Sequence, residues 1–398
     1  VGGCASGAAG VDTIDLQTDT TLPASSVNIY GSDTGLPLVT EDLIIEGNGH
    51  TIARDGAAPS FRILAVADNL TVTINDTTIS GGNSKVAGGG IYAGDNVTLA
   101  LNNAVVSGNR AGLAIDGNLA YAFPHEGDGG GIFQAGGTLT IIDSEISGNT
   151  ADSADCFYDY YYSTVVCNFA YGQGGGIYQA DGDLSITNST VSGNTAVQEG
   201  GGLYFSDYSN DGDTAVITGS AFEGNHSGNE GGGVYINDSD LSISNSTISG
   251  NTADSEGGGL YFGSSYTNSG YPDYNDLPST DYALITDSRF ENNESFYNEG
   301  GAIYHDGGTM RIERSVISGN TADDEAGGIY AEQGQMFLID STVSDNTSGN
   351  QGGGIYSDGP LSLSGTTVSG NTATTGNGGG IHVEDEGSVE IVNSTHSG

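Results

Sequence analysis

The feature that most constrains this chain is a phrase that recurs ten times. A polar turn such as "SGNTA" is followed by a glycine cluster and then by a branched and an aromatic residue, as in "GGGLY" from Gly257 to Tyr261. The asparagines of the turn stand at positions 83, 109, 149, 194, 225, 251, 293, 320, 346 and 371. The closest of them are 25 to 27 positions apart, so the unit has about 26 residues and the longer intervals contain insertions.

Each unit also shows apolar and polar residues in alternation. In "LSISNSTIS", Leu241 and Ile243 alternate with serines, a polar turn intervenes, and Ile248 is again flanked by polar residues. With the branched–aromatic pair this indicates three short strands per unit. One such unit cannot bury its apolar face alone, whereas a stack of units can. The sequence therefore predicts an all-β chain folded as a right-handed parallel β-helix of roughly 12 coils, the hand following from the rule for parallel crossovers.

The domain boundaries follow from the repeat. Residues 1–60 are predicted to form an N-terminal cap and the first coil, and residues 61–398 the β-helix repeat domain. The insertions are predicted at 111–128, 152–173, 206–213 and 263–281. The glycine cluster is expected where the chain turns tightly or lacks room for a side chain. The asparagine of "SGN" is expected to tolerate left-handed geometry and to hydrogen-bond to its copy one coil away.

The charge is strongly one-sided, with 51 acidic residues against 7 basic ones. Nucleic acid is excluded as a partner because phosphate contacts need a basic stripe, and an anionic membrane surface is disfavoured for the same reason. No membrane insertion is expected, since no window approaches the roughly 18 apolar residues of a span. Solvent cations, bound divalent ions or high salt are expected to neutralise the surface.

Two of the three cysteines share one loop. Cys156 and Cys167 in "DCFYDYYYSTVVCNF" would close a short ring on oxidation, and a disulfide there suits a secreted or cell-surface protein. Cys4 is left over, as a free thiol or an intermolecular bridge.

Some copies of the repeat match a known family in their letters. "FEGN" from Phe222 to Asn225 and "FENN" from Phe290 to Asn293 fit F-x-x-N, and "GGAI" from Gly300 to Ile303 fits G-G-A-[ILV]. Together they resemble the paired repeats of the chlamydial polymorphic outer-membrane-protein family. Copies with Ile or Val in place of Phe are similar to a broader group of secreted bacterial and archaeal β-helix proteins. The resemblance implies the same fold and an adhesin-like, surface-displayed or secreted protein, often anchored by a C-terminal domain.

An aromatic column follows the glycine clusters. Its members are Tyr92, Phe133, Tyr178, Tyr204, Tyr235, Tyr261, Tyr304, Tyr330 and Tyr356, with His382 at the end. If the branched residue of each pair faces inward, alternation sends these rings outward. The rings then form either a strip on which sugars stack or a ladder in which each ring shields its neighbours.

The insertions are rich in tyrosine. Phrases such as "FYDYYYS" and "YTNSGYPDYNDLPSTDY" mix Tyr, Asp, Asn and Ser, a composition typical of recognition loops, although ordinary surface decoration has the same appearance. The residues predicted to bind a carbohydrate or cell-surface ligand are Tyr158, Tyr160, Tyr161, Tyr162, Tyr266, Tyr271 and Tyr274.

No cofactor and no dedicated metal site are predicted. Oxygen-rich groups such as Asp207, Asp211 and Asp213 suit calcium, but neither an EF-hand loop nor a calcium-binding nonapeptide repeat occurs, so any calcium is expected to be incidental.

No catalytic residues are predicted either. Asp323 and Asp324 are adjacent, and adjacent residues of a strand face opposite sides, which argues against a catalytic carboxylate pair. Arg311 and Arg314 would suit a lyase, but Glu313 is an ion-pair partner at hand.

The sequence thus favours a non-catalytic, adhesin-like rod that binds carbohydrate or a neighbouring cell. A first alternative is self-association into a head-to-tail extracellular filament, suggested by the unpaired Cys4 and by a last coil that stops at "NSTHSG". A polysaccharide lyase or hydrolase is the second alternative.

Overall fold

Three parallel β-sheets wind around one axis and account for most of the structure. The computed structural model describes residues 11–29, 32–112, 127–152, 172–209, 212–264, 281–384 and 387–397, and the backbone of two strands within residues 153–171. Throughout this part of the chain the regular elements are strands, and it contains no helix. None of the described residues forms a helix of the length and apolar character that crossing a membrane requires.

The first sheet has 22 strands and carries two rows, which the coil crosses one after the other. The aromatic row consists of Leu64–Val66, Ile91–Ala93, Ile132–Gln134, Ile177–Gln179, Leu203–Ser206, Val234–Asn237, Leu260–Gly263, Ile355–Ser357 and Ile381–Val383. The long-strand row consists of Asp12–Asp15, Leu43–Glu46, Thr71–Asn75, Val97–Asn102, Gly137–Ile142, Leu184–Thr187, Thr214–Thr218, Asp240–Ser244, Tyr282–Thr286, Leu361–Ser364 and Val389–Val392. Two continuous strands, Ile303–Glu313 and Ile329–Ile339, belong to both rows.

The second and third sheets complete each coil. The 13 strands of the second sheet are Thr20–Leu22, Thr51–Arg54, Thr78–Ser80, Val105–Ser107, Glu145–Ser147, Thr190–Ser192, Ala221–Glu223, Thr247–Ser249, Arg289–Glu291, Val316–Ser318, Thr342–Ser344, Thr367–Ser369 and Thr395–Ser397. The nine strands of the third sheet are Arg110–Ala111, Thr150–Ala151, Thr195–Ala196, His226–Ser227, Thr252–Ala253, Glu294–Ser295, Thr321–Ala322, Thr347–Ser348 and Thr372–Ala373. Two antiparallel hairpins lie outside the coils, Val27–Ile29 with Ser32–Thr34 and Ala154–Asp159 with Thr164–Ala170.

Equivalent residues of successive coils lie directly above one another. Ile217 pairs with Ile243, and Ile243 pairs with Ile285, all in parallel register. With one second-sheet strand per coil, the 13 strands correspond to about 12 complete coils. The predicted parallel β-helix is therefore confirmed.

The core is a set of inward-facing columns. Val191, Phe222, Ile248, Phe290 and Ile317 succeed one another in the second sheet, and each is fully buried. Burying a side chain of this kind stabilises the fold by roughly 1.5–3 kcal/mol. At the C-terminal end, by contrast, Val389 is 47% and Ile391 is 51% exposed. Head-to-tail association of copies through this end stays a prediction.

The glycines of the cluster meet two separate requirements, a positive φ and a close approach of two coils. Its first glycine takes a positive φ, as at Gly257 with φ +65°. Its second and third glycines face the next coil so closely that a Cβ would lie 2.4 Å from the Glu294 carbonyl oxygen at Gly258, and 2.6 Å from the Ala302 carbonyl oxygen at Gly259. A side chain at these positions would press on the backbone of the next coil, and the structure accommodates at most a methyl group, as at Ala302, the equivalent of Gly259.

The asparagines of the turn form a buried ladder. Asn251 donates from Nδ2 to Oδ1 of Asn293 and to the backbone oxygen of Phe222, both from 2.9 to 3.0 Å away. Two expectations need correction. The left-handed residue is the preceding one, such as Gly250 with φ +62°, because the asparagine side chain has to point inward. The ladder also starts at Asn109 and not at Asn83, since Gly82 occupies the first position and its N–H donates to Oδ1 of Asn109.

Candidate functional site

The aromatic column is a continuous stack of rings. From Tyr92 to Tyr356, neighbouring ring centroids are 4.8 to 5.3 Å apart and the ring planes differ by 2 to 12°. His382 continues the stack at 5.1 Å. Each inner ring has both faces covered by its neighbours and turns only an edge outward. The geometry agrees with the self-shielding interpretation, because a sugar would have to displace a ring to reach a face.

A cation closes the lower end of the stack. The guanidinium of the fully buried Arg62 lies over the ring of Tyr92, 4.7 Å from its centroid. Arg62 also donates to the backbone oxygen of Ala87 at 3.0 Å. This cation–π contact supports the ring of Tyr92 at the end of the stack opposite to His382.

Two acidic columns border the aromatic stack. The glutamate column occupies the position before the glycine cluster in five successive coils, at Glu199, Glu230, Glu256, Glu299 and Glu325. The second acidic column lies two residues after the aromatic residue, at Asp306, Glu332, Asp358 and Glu384. It touches the rings directly: the Tyr304 hydroxyl donates to Glu332 at 2.5 Å and the Tyr356 hydroxyl donates to Glu384 at 2.9 Å.

Amide side chains bridge the glutamate column. Asn229 donates to Glu199 at 2.9 Å, and Asn298 donates to Glu256 at 2.9 Å. These neutral donors offset part of the repulsion between carboxylates in adjacent coils.

Burial shifts the titration of both columns. It raises the pKa of Glu230 to about 8, with further contributions from Glu256 and Glu199. Burial likewise raises the pKa of Glu299 to about 7, and that of Asp306 to about 6 with a smaller effect from Glu332. At neutral pH Glu230 therefore retains its proton and Glu299 is partly protonated. Burial also raises the pKa of Tyr235 well above its ordinary value.

The insertions leave the rod on both sides of the aromatic row. Two follow strands of the third sheet, Arg110–Ala111 and Thr150–Ala151, and two follow strands of the aromatic row, Leu203–Ser206 and Leu260–Gly263. Both ends of the last insertion are anchored to one neighbouring coil by backbone hydrogen bonds. Ser264 N–H donates to the backbone oxygen of Asp306 at 3.0 Å, and Thr309 N–H donates to the backbone oxygen of Asp281 at 2.9 Å.

Most of the tyrosines predicted to bind a ligand fall in these insertions, beyond the described residues. Tyr160, Tyr161, Tyr162, Tyr266, Tyr271 and Tyr274 lie outside the described part of the chain, and of Tyr158 only the backbone is described. The backbones of Cys156 and Cys167 lie opposite one another in the hairpin Ala154–Asp159 and Thr164–Ala170. The disulfide and the ligand contacts stay predictions.

Two groups of carboxylates have the spacing of a cation site. Oxygens of Asp181, Asp207 and Asp213 lie within 4.8 Å of one another, as do oxygens of Glu299, Asp324 and Glu325. Calcium prefers such oxygen donors. Asp207 is however occupied in the fold, because it accepts from the N–H of Gly212 at 3.0 Å and from the hydroxyl of Ser209 at 3.0 Å. Asp211, the third calcium candidate, lies outside the described residues.

Both arginines considered for catalysis are held in ion pairs. Arg311 donates to Glu313 at 2.5 Å, and Arg314 donates to Glu313 at 2.7 Å and to Asp287 at 2.9 Å. Asp323 and Asp324 lie in the turn after Thr321–Ala322, not in a strand, so the argument from opposite strand faces does not apply to them.

Sequence reasoning missed an exposed aromatic pair. Phe296 and Tyr297, in the turn after Glu294–Ser295, are 40% and 71% exposed. The signal was the phrase "SFYNEGG", in which two aromatic residues stand where the other repeats have small or polar ones.

Two family models match parts of the chain. The family described as "Right handed beta helix region" matches residues 274–396, and the "Chlamydia polymorphic membrane protein (Chlamydia_PMP) repeat" matches residues 245–263. The crystal structure of tailspike protein 3 of bacteriophage CBA120 is similar at 10% identity and a TM-score of 0.37, with 96% of this chain covering 55% of that one. No curated protein matches. The chain folds as a right-handed parallel β-helix, and one of its coils is similar to the polymorphic-membrane-protein repeat.

Proposed function

We propose that this protein is a non-catalytic, adhesin-like rod, secreted or displayed on a cell surface, whose insertions bind carbohydrate or a neighbouring cell. One observation carries the proposal. The four insertions occupy only the two turns that border the aromatic row, whereas from Val97 onward the other two turns keep the same length in every coil. Variable loops held on one side of a constant scaffold are typical of a recognition face.

The scaffold is suited to present such loops. The buried asparagine ladder and the stacked rings tie each coil to the next along the rod, so the base of each insertion is held in place. Binding then costs little ordering of the scaffold itself.

The repeat and the charge support an exposed location. The match to the polymorphic-membrane-protein repeat connects the chain with membrane proteins of Chlamydia. The formal net charge of −44 keeps copies apart in solution and makes anionic polymers poor ligands.

The proposal is tested by replacing the insertions. In one variant residues 153–171 are removed, so that Asp152, Gly172 and Gln173 replace the insertion by a turn as long as Val197–Glu199 of the next coil, and in a second variant residues 265–280 are removed. We expect both variants to keep the β-helix circular dichroism spectrum and to lose binding on a glycan array or to cells. A third variant keeps both insertions at full length but replaces Tyr160, Tyr161 and Tyr162 with serine, and we expect it to bind more weakly as well. Undiminished binding by all three variants would reject the proposal.

The hydrolase alternative requires two carboxyl groups roughly 5–9.5 Å apart, across the scissile bond. The sequence assigns no pair of carboxyl groups to this role. Incubating the intact protein with the glycans that it binds tests this alternative, since new reducing ends or unsaturated products would establish an enzyme.

A further inference from the structure

The turn that carries Phe296 and Tyr297 has a composition that the coil does not require. In the neighbouring coils the equivalent positions are small or polar, namely Gly228–Asn229, Asp254–Ser255, Asp323–Asp324 and Gly349–Asn350. These coils close without an aromatic residue there. Within the described part of the chain, Tyr297 is the most exposed large apolar side chain. Its ring is therefore open to solvent and does not pack the core.

The backbone of this turn is fixed by the coils on both sides. Phe296 N–H donates to the backbone oxygen of Ala253 at 2.9 Å, and Tyr297 N–H donates to the backbone oxygen of Asp254 at 3.1 Å. On the opposite side, Asp324 N–H donates to the backbone oxygen of Asn298 at 3.3 Å. The aromatic pair is thus held at a set position between two aspartates, and a ligand would not have to order it.

The charge around the pair restricts what it can contact. Asp254 lies one coil below and Asp324 one coil above, and Glu256, Glu299 and Glu325 of the glutamate column follow the same turns. In the described turns between the third sheet and the aromatic row, from residue 197 to residue 377, no lysine or arginine occurs. A phosphate, a sulfate, a uronic acid or a second copy of this acidic chain would be repelled.

We propose that the Phe296–Tyr297 turn is a carbohydrate-contact site for pyranose rings that are neutral or carry a free amine. The inference rests on the proposed function and adds a ligand class and contact residues. The apolar face of the sugar packs on the exposed Tyr297 ring, and its hydroxyl or ammonium groups reach the carboxylates of Asp254 and Asp324. An ammonium group binds more tightly still, because it is attracted by the faces of the aromatic rings and by the surrounding carboxylates.

The test is a calorimetric titration of the intact protein with three probes of equal length. They are a glucosamine oligomer with free amines, an N-acetylglucosamine oligomer and an oligogalacturonate. We expect the amine-bearing probe to bind at least as tightly as the neutral one, the anionic probe to bind most weakly, and added salt to weaken only the first. The double variant Phe296→Ser/Tyr297→Ser should bind the first two roughly tenfold more weakly, since about 1.4 kcal/mol of stacking is lost.

A matched variant separates this site from the proposed function. Tyr282→Ser removes an aromatic ring that is 36% exposed at the start of a strand of the long-strand row, away from this turn, and we expect it to bind like the unaltered protein. If the double variant keeps its affinity while removal of residues 153–171 or 265–280 abolishes binding, this site is refuted and the proposed function stands. If none of the probes binds the unaltered protein, or if the anionic probe binds best, the site is refuted as well. Equal unfolding temperatures of the two variants show that affinity, not folding, has changed.

Discussion

Asn251 donates from Nδ2 to Oδ1 of Asn293 at 3.0 Å, although 42 residues separate them in the sequence. The corresponding bond from Asn225 to Asn251 is 2.9 Å long and spans only 26 residues. An insertion within one coil thus leaves the hydrogen bonds of the asparagine ladder unchanged. The coil is closed by contacts with its neighbours above and below, and the chain that connects them is free to vary in length.

Asn251→Ala should weaken the rod at its centre. Asn251 donates to Phe222 and Asn293, and its Oδ1 accepts from both the backbone N–H and Nδ2 of Asn225. Each buried partner left without its hydrogen bond costs roughly 1–3 kcal/mol. We expect a loss of about 3 kcal/mol in the free energy of unfolding, measured by chemical denaturation.

The matched control for this substitution is Ser242→Ala. Ser242 lies outward on the long-strand row of the same coil and is only half-buried. It should change the free energy of unfolding by less than about 0.5 kcal/mol. Similar losses in the two variants would show that the ladder adds nothing beyond ordinary strand pairing.

The repeat predicts the fold of this chain well because the repeat and the fold share a period. The spacing of Asn225 and Asn251 gives the coil length, and the alternation in Leu241 and Ile243 gives the inward face. Alternation does not predict how far an outward residue is exposed, because the cover comes from the next coil. Tyr235 faces outward and yet lies between two rings, at 4.9 Å and 4.8 Å. Phe296 and Tyr297 were missed for the opposite reason: nothing in the coil above or below covers them to the same extent.

Tyr304 allows the ring stack to be separated from its hydrogen bond. Tyr304→Phe keeps the ring between Tyr261 and Tyr330 and loses only the bond to Glu332, so we expect a loss of about 1 kcal/mol. Tyr304→Ala also leaves a gap in the stack and should cost about 3 kcal/mol or more. Thermal unfolding followed by circular dichroism measures both. A loss as large for phenylalanine as for alanine would show that the hydrogen bond, not the stack, dominates.

Glu230 should make the stability fall as the pH rises. Its pKa in the folded chain is about 8, above the ordinary value of 4.5, so the unfolded chain loses this proton first. The contribution is fully present below about pH 4.5 and is lost as the pH rises through 8. Glu230→Gln stays neutral throughout. We expect its unfolding temperature to match the unaltered protein at pH 5 and to exceed it increasingly up to pH 8.5. The exposed Glu223→Gln is the control, and an equal pH profile for both variants would contradict the assignment.

The titration of His305 should make the stability fall as the pH is lowered, in contrast to that of Glu230. His305 is fully buried in the core column between Phe262 and Ala331, and neither ring nitrogen has a hydrogen-bond partner of good geometry, although the Gly307 backbone slightly favours the charged ring. Burial therefore lowers the pKa of His305 from 6.5 to about 4. The unfolded chain takes up this proton first, so stability is lost as the pH falls from 6.5 towards 4.

His305→Phe removes this titratable group and places a second phenylalanine above Phe262. We expect the variant to gain stability over the unaltered protein as the pH is lowered, by up to about 3 kcal/mol at pH 4, because one pKa unit corresponds to about 1.4 kcal/mol. Urea denaturation at pH 4, 5, 6 and 7 measures the gain. His382→Phe, at the half-buried end of the aromatic stack, is the matched control. If the gain for His305→Phe were the same at pH 4 and pH 7, the ring would already be charged in the folded protein and the core around it would have to admit water.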